Sequence, residues 1–244
     1  IGITAGIFRE ADDLGDGELI DRIKDSAKQK GTGRWASIEA LKQGVDISMI
    51  TSACTARIMS NHLDEREKAW QLIHSPAVGL SPDKESFAAM VREALYTGKI
   101  IAYAQGFSLM QDASRLYGWN LDLGKIASIF RAGCIIQAVF LNDITHAFEA
   151  EPKPENLIFD GFFLSRINEH QDSLRQAVST GVMNGLPIPA LCNAVSYLDE
   201  FRAKAAGANL IQAQRDCFGA HTYERTDREG VFHHEWRWAN DNQH

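Results

Sequence analysis

Apolar side chains recur at helical spacing along most of the chain, and Gly or Pro residues separate the periodic segments. The longest such segment runs from Lys84 to Tyr117 and has a broad apolar face that includes Phe87, Met90 and Val91. The first eight residues also have helical spacing. Shorter segments of the same period predict helices over 16–28, 35–44, 47–60, 65–73, 122–131, 135–149, 160–182, 188–205 and 208–217. Almost no strand pattern precedes residue 219, so we predict a mainly α fold of many helices.

The last part of the chain differs from the rest. From Gly219 onward, Gly, His and aromatic residues follow one another without a helical period. We therefore predict an all-helical domain over residues 1–218 and an extended tail over 219–244. The tail has too many aromatic side chains for a free end in water and too few residues for a core of its own. We expect it to dock, on a partner subunit.

Composition narrows the class of protein. The 244 residues are 45% hydrophobic, which is enough for a buried core without disulfides or metals. The net charge of -7 disfavours binding to a polyanion such as DNA or to an acidic membrane surface. We therefore predict neither a nucleic-acid nor a membrane partner. No apolar run reaches the roughly 18 residues that a membrane span requires. Any phosphate group must then be held by a local cluster of cations.

The cysteines and the start of the chain bear on its cellular setting. Cys54, Cys134, Cys192 and Cys217 stand far apart, without the spacing of a zinc site or a disulfide framework. We predict that they are buried thiols of a cytoplasmic protein. The chain shows no secretory signal and opens at Ile1 on a helical pattern without a cap. We therefore expect it to begin within a longer protein.

One loop concentrates glycine, threonine and positive charge. Residues 25–35 read Asp-Ser-Ala-Lys-Gln-Lys-Gly-Thr-Gly-Arg-Trp, and a predicted helix follows. Backbone N–H groups, a hydroxyl and several cations can converge there on an anion, for which a phosphate group is the natural candidate. The order differs from a Walker loop, which places Gly-Lys-Ser/Thr between a strand and a helix. For a generic Lys-Gly-Thr-Gly, a solvated turn between helices is the favoured alternative.

The whole string resembles the signature of the 6-phosphogluconate dehydrogenase family, in which an Asp and a short polar stretch precede Lys-Gly-Thr-Gly-x-Trp. Asp25 and residues 29–35 fit this signature, whereas Lys28 stands where the family usually has Gly or Ala. Three more blocks are similar to the family in the same order: 131–141, 179–190 and 211–224, the last with Cys217 where Tyr is common. The resemblance spans nearly the whole chain and implies the C-terminal, all-helical half of such an enzyme.

The resemblance implies substrate contacts from the loop and from the helix beyond it. The family's loop lysine and threonine contact the substrate, and they match Lys30 and Thr32. The arginine that closes a following helix matches Arg57, whose guanidinium offers forked donors to phosphate oxygens. From the sequence alone, an ion pair of Arg57 with Asp46 or Glu65 is the favoured alternative.

Two further substrate ligands are implied at the end of the chain. They match Arg215 and His221. In the family these residues reach the substrate of the partner subunit, so the resemblance implies a homodimer with exchanged tails. Several cations from separate elements hold a dianionic phosphate better than one lysine does, since each charge-assisted hydrogen bond contributes about 1.5 to 3 kcal/mol.

The reaction implied by the resemblance is oxidation of 6-phosphogluconate by NADP and loss of carbon dioxide, which gives ribulose 5-phosphate in the pentose phosphate pathway. The family's lysine base and glutamate acid precede the region covered here, so we predict no catalytic residue in this chain. The sequence has no Gly-x-Gly-x-x-Gly turn after a strand and no βαβ pattern. NADP is therefore expected to bind mainly to an N-terminal domain, and we expect this chain alone to be inactive.

Two alternatives remain open at this point. His233, His234 and Glu235 could hold a metal, but adjacent residues of an extended segment point to opposite sides, so we predict no metal site. The chain could also be a non-catalytic helical protein of the same descent that binds a phosphosugar or forms a dimer.

Overall fold

The computed structural model describes residues 1–75, 79, 83–131 and 134–236, and these are mainly α-helical, as predicted. Within the described residues the α-helices are α1 (Gly2–Ile7), α2 (Thr32–Gln43), α3 (Ser48–Ser60), α4 (Leu63–Leu72), α5 (Lys84–Tyr117), α6 (Leu123–Ile129), α7 (Leu141–Glu149), α8 (Gly161–Met183), α9 (Pro189–Arg202) and α10 (Ala208–Gly219). Two short 3-10 helices cover Leu19–Arg22 and Leu157–Phe159. Strands β1 (Tyr223–Glu224) and β2 (Val231–Phe232) form an antiparallel pair near the end of the chain.

The chain divides into two compact units, Ile1–Val195 and Ser196–His244. The first holds α1 to α8 and the beginning of α9. The second holds the end of α9, α10 and the strand pair. The domain boundary after residue 218 that the sequence suggested stays a prediction.

Helix α5 forms the centre of the first unit, where it packs along α8. Its buried face includes Ile100, Ile101 and Phe107, all almost without exposed surface. An aromatic cluster continues this core, because the ring of Phe140 meets those of Tyr96 and Phe163 edge-on at 5.7 Å. The long helix therefore serves as a rigid frame for the shorter helices of this unit.

The start of α3 is fixed by a side chain from α5. Gln105 is fully buried, and its Oε1 accepts a hydrogen bond of 3.1 Å from the backbone N–H of Met49. Its Nε2 donates to Ser48 Oγ at 3.0 Å. The first N–H groups of a helix have no partner within the helix, and a side chain from a distant element satisfies that of Met49. It fixes the position of α3, which carries Arg57.

The prediction of a helix over residues 16–28 is wrong. Only Leu19–Arg22 form a short 3-10 helix there. The Asp12 carboxylate accepts from the N–H of Leu14, and Gly17 has a φ of 101°, so local turns replace the helical ladder. The apolar residues of this segment are spaced as in a helix, but the segment does not form an α-helix.

The helix predicted over residues 135–149 begins only at Leu141. Side chains of α5 take the carbonyl groups that an earlier start would need. Lys99 Nζ donates to Gln137 O at 2.7 Å, and the Tyr103 hydroxyl donates to Ile136 O. Helices α5, α8 and α10 run close to their predicted ranges, and α1 forms where the first residues show helical spacing. Three of the Gly and Pro residues that separate the predicted helices lie outside the described residues: Pro76, Pro82 and Gly133.

Two further properties bear on the expectations from composition. Among the helices of the described ranges, none combines the length and the apolar character needed to cross a membrane. The four cysteines are free thiols, but each is partly exposed rather than buried, so that part of the prediction is wrong.

Candidate functional site

The loop that precedes α2 ends in a conformation that suits glycine. Gly31 has a φ of 105° and forms the N-cap of α2 without a side-chain cap. The first turn of α2 carries no acidic residue and includes Arg34 instead. The N-terminus of this 12-residue helix therefore presents N–H groups and a partial positive charge. An anion would supply the missing acceptors.

Arg57 lies against the same loop. It sits in the last turn of α3, and its Nη1 donates to the carbonyl oxygen of Lys28 at 3.3 Å. The ion pairs considered from the sequence do not form between the described side chains, because Asp46 accepts from the N–H of Ser48 and Glu65 pairs with His62. The guanidinium of Arg57 is thus directed to the loop that carries Lys30.

Further hydrogen bonds attach the loop to the end of α3. Asn61 Nδ2 donates to Ala27 O at 3.3 Å, and Ser60 Oγ accepts from the N–H of Ala27 at 3.0 Å. The Ser26 hydroxyl donates to Asn61 Oδ1 at 2.7 Å. These contacts hold an otherwise irregular segment in one place beside the C-terminal turn of α3.

The contact between α2 and α3 is close because Gly33 lacks a side chain. A Cβ at Gly33 would collide with the sulfur of Cys54 on α3. One turn further along α2, Ser37 Oγ lies 3.0 Å from Thr51 Oγ1 of α3. The two helices that flank the cationic loop are therefore fixed to each other by direct packing.

The structure brings three of the predicted site residues to one region of the first unit. Lys30 precedes the N-cap of α2, Thr32 is its first residue, and Arg57 reaches the loop from α3. All three side chains are exposed. They can meet a solvent-borne anion without further opening of the fold.

Arg215 and His221 lie in the second unit, where the side chain of Gln212 links Arg215 to Thr222, the residue after His221. Arg215 Nη1 donates to Gln212 Oε1 at 3.0 Å, and Gln212 Nε2 donates to Thr222 O at 2.5 Å. The His221 ring lies close to Gly219, where an added Cβ would be 3.2 Å from its Cδ2 and Nε2 atoms. Both predicted ligands are exposed.

Asp216 organises this part of the second unit, and the sequence did not single it out. The residue is fully buried. One carboxylate oxygen accepts from the N–H of Thr222 and from His233 Nδ1, both at 2.9 Å. The other accepts from the N–H of His234 at 3.1 Å and from Trp236 Nε1 at 2.8 Å. The tail as far as Trp236 is thereby attached to α10 of its own chain.

The electrostatics of Asp216 follow from these contacts. Burial raises the pKa of its carboxyl group, but the four hydrogen bonds lower it by more, so the pKa lies well below the usual range of aspartate. A signal was present in the sequence, because Asp216 is the one acidic residue of α10 and a tail rich in His and Trp follows it.

No group of three or more potential metal ligands occurs in the ranges that the structure describes. His233 uses Nδ1 for Asp216, and the His234 ring meets Trp236 edge-on at 5.0 Å. In these positions the two imidazoles take part in the packing of the tail.

Fold and loop together define a mainly α-helical protein that presents a Lys-Gly-Thr-Gly loop at the start of a helix. The sequence profile of the family described as "6-phosphogluconate dehydrogenase, C-terminal domain" matches residues 1–236. The chain belongs to this family.

Two relatives agree with that assignment. The decarboxylating 6-phosphogluconate dehydrogenases of Lactococcus lactis subsp. lactis (strain IL1403) and Staphylococcus aureus (strain N315) are each 47% identical to it over 236 residues. These matches cover 97% of the chain and 50% of each relative. The chain thus spans about half the length of these relatives.

A solved structure has the same fold. The Plasmodium falciparum 6-phosphogluconate dehydrogenase, described in its apo form and in complexes with its cofactor NADP+ and its substrate 6-phosphogluconate, matches with a TM-score of 0.91 and 39% identity. The match covers 96% of this chain and 50% of that one.

Proposed function

We propose that the chain is the C-terminal part of a decarboxylating 6-phosphogluconate dehydrogenase, in which it binds the substrate phosphate and forms the dimer. The full-length protein would oxidise 6-phosphogluconate with NADP and release carbon dioxide and ribulose 5-phosphate, as in the pentose phosphate pathway. Membership of the family and the names of relatives at 47% identity support this proposal.

The contact of Arg57 with the loop carries the assignment of the phosphate site. The hydrogen bond from Arg57 Nη1 to Lys28 O directs a guanidinium to the segment that holds Lys30 and Thr32. Arginine offers planar paired donors, lysine a point charge and threonine a hydroxyl, so the three side chains can meet different phosphate oxygens. The uncapped N-terminus of α2 adds backbone N–H donors.

We assign the other half of the phosphate site to Arg215 and His221 of the partner subunit in a homodimer. In this arrangement residues 1–218 form the substrate-binding and dimerisation domain, and residues 219–244 form a tail that docks on the partner. The tail as far as Trp236 meanwhile stays attached to α10 of its own chain. The attachment of α10 to the following segment through Gln212 supports a joint role for the two ligands.

NADP is assigned mainly to a nucleotide-binding domain outside these 244 residues, together with the lysine base and the glutamate acid of the reaction. The described residues show no strand–turn–helix unit of the dinucleotide-binding type. The role of this chain is to position the substrate for hydride transfer, and alone it is expected to be inactive.

The Arg57→Ala variant of the full-length protein tests the phosphate site. We expect the KM for 6-phosphogluconate to rise by at least about tenfold, because a charge-assisted contact is lost, while the KM for NADP stays nearly unchanged. Steady-state kinetics with each substrate varied in turn measure both constants. Arg115→Ala is the matched control, since Arg115 pairs with Asp112 on the exposed face of α5.

Two outcomes would contradict this assignment. An unchanged KM for 6-phosphogluconate would remove Arg57 from the site. Substrate binding without turnover by the unsubstituted full-length protein would favour a non-catalytic phosphosugar-binding protein.

A further inference from the structure

We propose that Asp216 and Gln212 are positioning residues that hold Arg215 and His221 in one fixed arrangement. Helix α10 and the first residues of the tail would then present a preassembled pair of ligands to the substrate phosphate. This inference rests on the proposed function, because it takes Arg215 and His221 as substrate ligands.

Asp216 controls the backbone on both sides of His221. Its carbonyl oxygen accepts from the N–H of Ala220 at 2.8 Å, and its carboxylate accepts from the N–H of Thr222 at 2.9 Å. Ala220 and Thr222 both have left-handed backbone conformations, with φ values of 50° and 62°. Residues with a Cβ rarely adopt this conformation, so it persists only where surrounding contacts impose it.

The remaining contacts of the Asp216 carboxylate hold its side chain in place. His233, the N–H of His234 and Trp236 all donate to it, and the carboxylate is fully buried. These donors come from the segment after the strand pair. The same acidic group thus fixes the turn that carries His221 and the tail that passes beside it.

Gln212 connects the second ligand to this turn. It lies one helical turn before Asp216, accepts from Arg215 Nη1 at 3.0 Å and donates to Thr222 O at 2.5 Å. A single amide therefore holds the guanidinium and the residue next to His221. Gly219 completes the arrangement, because a Cβ there would be 3.2 Å from two atoms of the His221 ring.

This arrangement has a consequence for binding. Arg215 and His221 are exposed, and an unrestrained arginine loses rotamer freedom when it binds an anion. Side chains that are already held near their bound positions avoid most of that loss. Asp216 and Gln212 would thus strengthen substrate binding without touching the substrate.

The test uses the full-length protein with two substitutions, Asp216→Asn and Gln212→Leu. We expect each to raise the KM for 6-phosphogluconate about tenfold and to leave the KM for NADP unchanged. A purely structural role would instead reduce the fraction of folded enzyme, which lowers kcat and leaves both KM values as they were. Gln214→Leu, on the exposed side of the same helix, is the matched control.

A double-mutant cycle with His221→Ala gives the decisive measurement. If Asp216 acts by positioning His221, Asp216→Asn raises the KM for 6-phosphogluconate much less in the His221→Ala background. Equal effects in both backgrounds would overturn the role of Asp216. The Gln212→Leu variant is tested in the same way against Arg215→Ala, and it carries the test by itself if Asp216→Asn does not fold.

Failure of this inference is distinguishable from failure of the proposed function. If His221→Ala and Arg215→Ala themselves leave the KM for 6-phosphogluconate unchanged, the assignment of the phosphate site fails. If these two raise the KM while Asp216→Asn and Gln212→Leu do not, only the positioning role is overturned.

Discussion

At the scale of single residues, Asp216 is the one charged side chain that is fully buried among the described residues. A carboxylate without solvent contact is costly to bury unless donors replace its water. Two backbone N–H groups, an imidazole and an indole supply these donors. Because all four favour the ionised form, the pKa of Asp216 is lowered, and the stability of the second unit is linked to pH.

The sign of this linkage gives a prediction for the 244-residue chain. A carboxyl group with a lowered pKa in the folded state stabilises that state above the ordinary aspartate pKa of about 3.9, and the contribution is lost as the pH falls toward the folded value. We therefore expect Asp216→Asn to reduce the free energy of unfolding most near neutral pH, and the difference from the unsubstituted chain to shrink below about pH 4.

Urea unfolding followed by tryptophan fluorescence at about pH 7, 4 and 2 measures this difference. Other carboxyl groups titrate in both proteins, so their contributions cancel in the comparison. A difference that stays constant over this pH range would show that the ionisation of Asp216 does not stabilise the fold.

At the scale of secondary-structure elements, the α2–α3 pair sets the geometry of the cationic loop. Gly33 lets α2 approach α3 until its backbone meets the Cys54 sulfur, and the Ser37–Thr51 hydrogen bond continues the contact. The loop ends where α2 begins, and Arg57 lies in the last turn of α3. A change in the separation of these helices would therefore move Lys30 away from Arg57.

Gly33→Ala tests this packing. The new methyl group would overlap the sulfur of Cys54, and we expect a loss of about 1–3 kcal/mol in the free energy of unfolding. Chemical denaturation of the 244-residue chain measures the loss. The double variant Gly33→Ala with Cys54→Ala removes the sulfur and should recover much of it, whereas purely additive effects would show that the two residues are not in contact.

The elements that could be predicted from the sequence are those stabilised by their own apolar face. Helix α5 begins after Asp83, which caps it, and ends before Gly118, which has a φ of 66°. Residues at each end therefore determine where this helix begins and ends. The segment 16–28 shows the reverse, since Leu19, Ile20 and Ile23 suggest a helix that local turns prevent. Hydrophobic periodicity alone does not show that local turns compete with a helix.

The candidate site likewise has a part that the sequence predicts and a part that it does not. The loop with Lys30 and Thr32 stands out in the sequence because glycine, threonine and cations are adjacent there. The roles of Asp216 and Gln105 depend on partners far along the chain, such as Trp236 and Met49. Tertiary packing creates these contacts. The local signal is limited to Asp216, the one acidic residue of α10, which precedes a tail rich in His and Trp.

At the scale of the whole molecule, the charge distribution separates specific from general anion binding. The chain carries a net charge of -7, yet Lys30, Arg34 and Arg57 lie together around one loop. A local cation cluster on an acidic protein can hold a small phosphate ester without attracting polyanions. This pattern suits a site for a small metabolite. If two subunits share the site, the phosphate ester would bind fully only to the dimer.

Sharing of the site between subunits can be tested by complementation in the full-length protein. In a dimer of one Arg57→Ala subunit and one Arg215→Ala subunit, one site contains both defects and the other contains neither. Random mixing makes half of the dimers mixed, so we expect about a quarter of the unsubstituted activity to return at low substrate concentration. The activity is measured after co-expression of the two variants and compared with that of each variant alone.

The control pair for this experiment is Arg57→Ala with Lys30→Ala. Both residues belong to the same side of the proposed site, so every site of the mixed dimer keeps a defect and no activity should return. If Arg57→Ala and Arg215→Ala also fail to complement although mixed dimers form, the two arginines act within one subunit and the shared site is wrong. Recovery in the first pair alone requires that α10 of one subunit completes the phosphate site of the other.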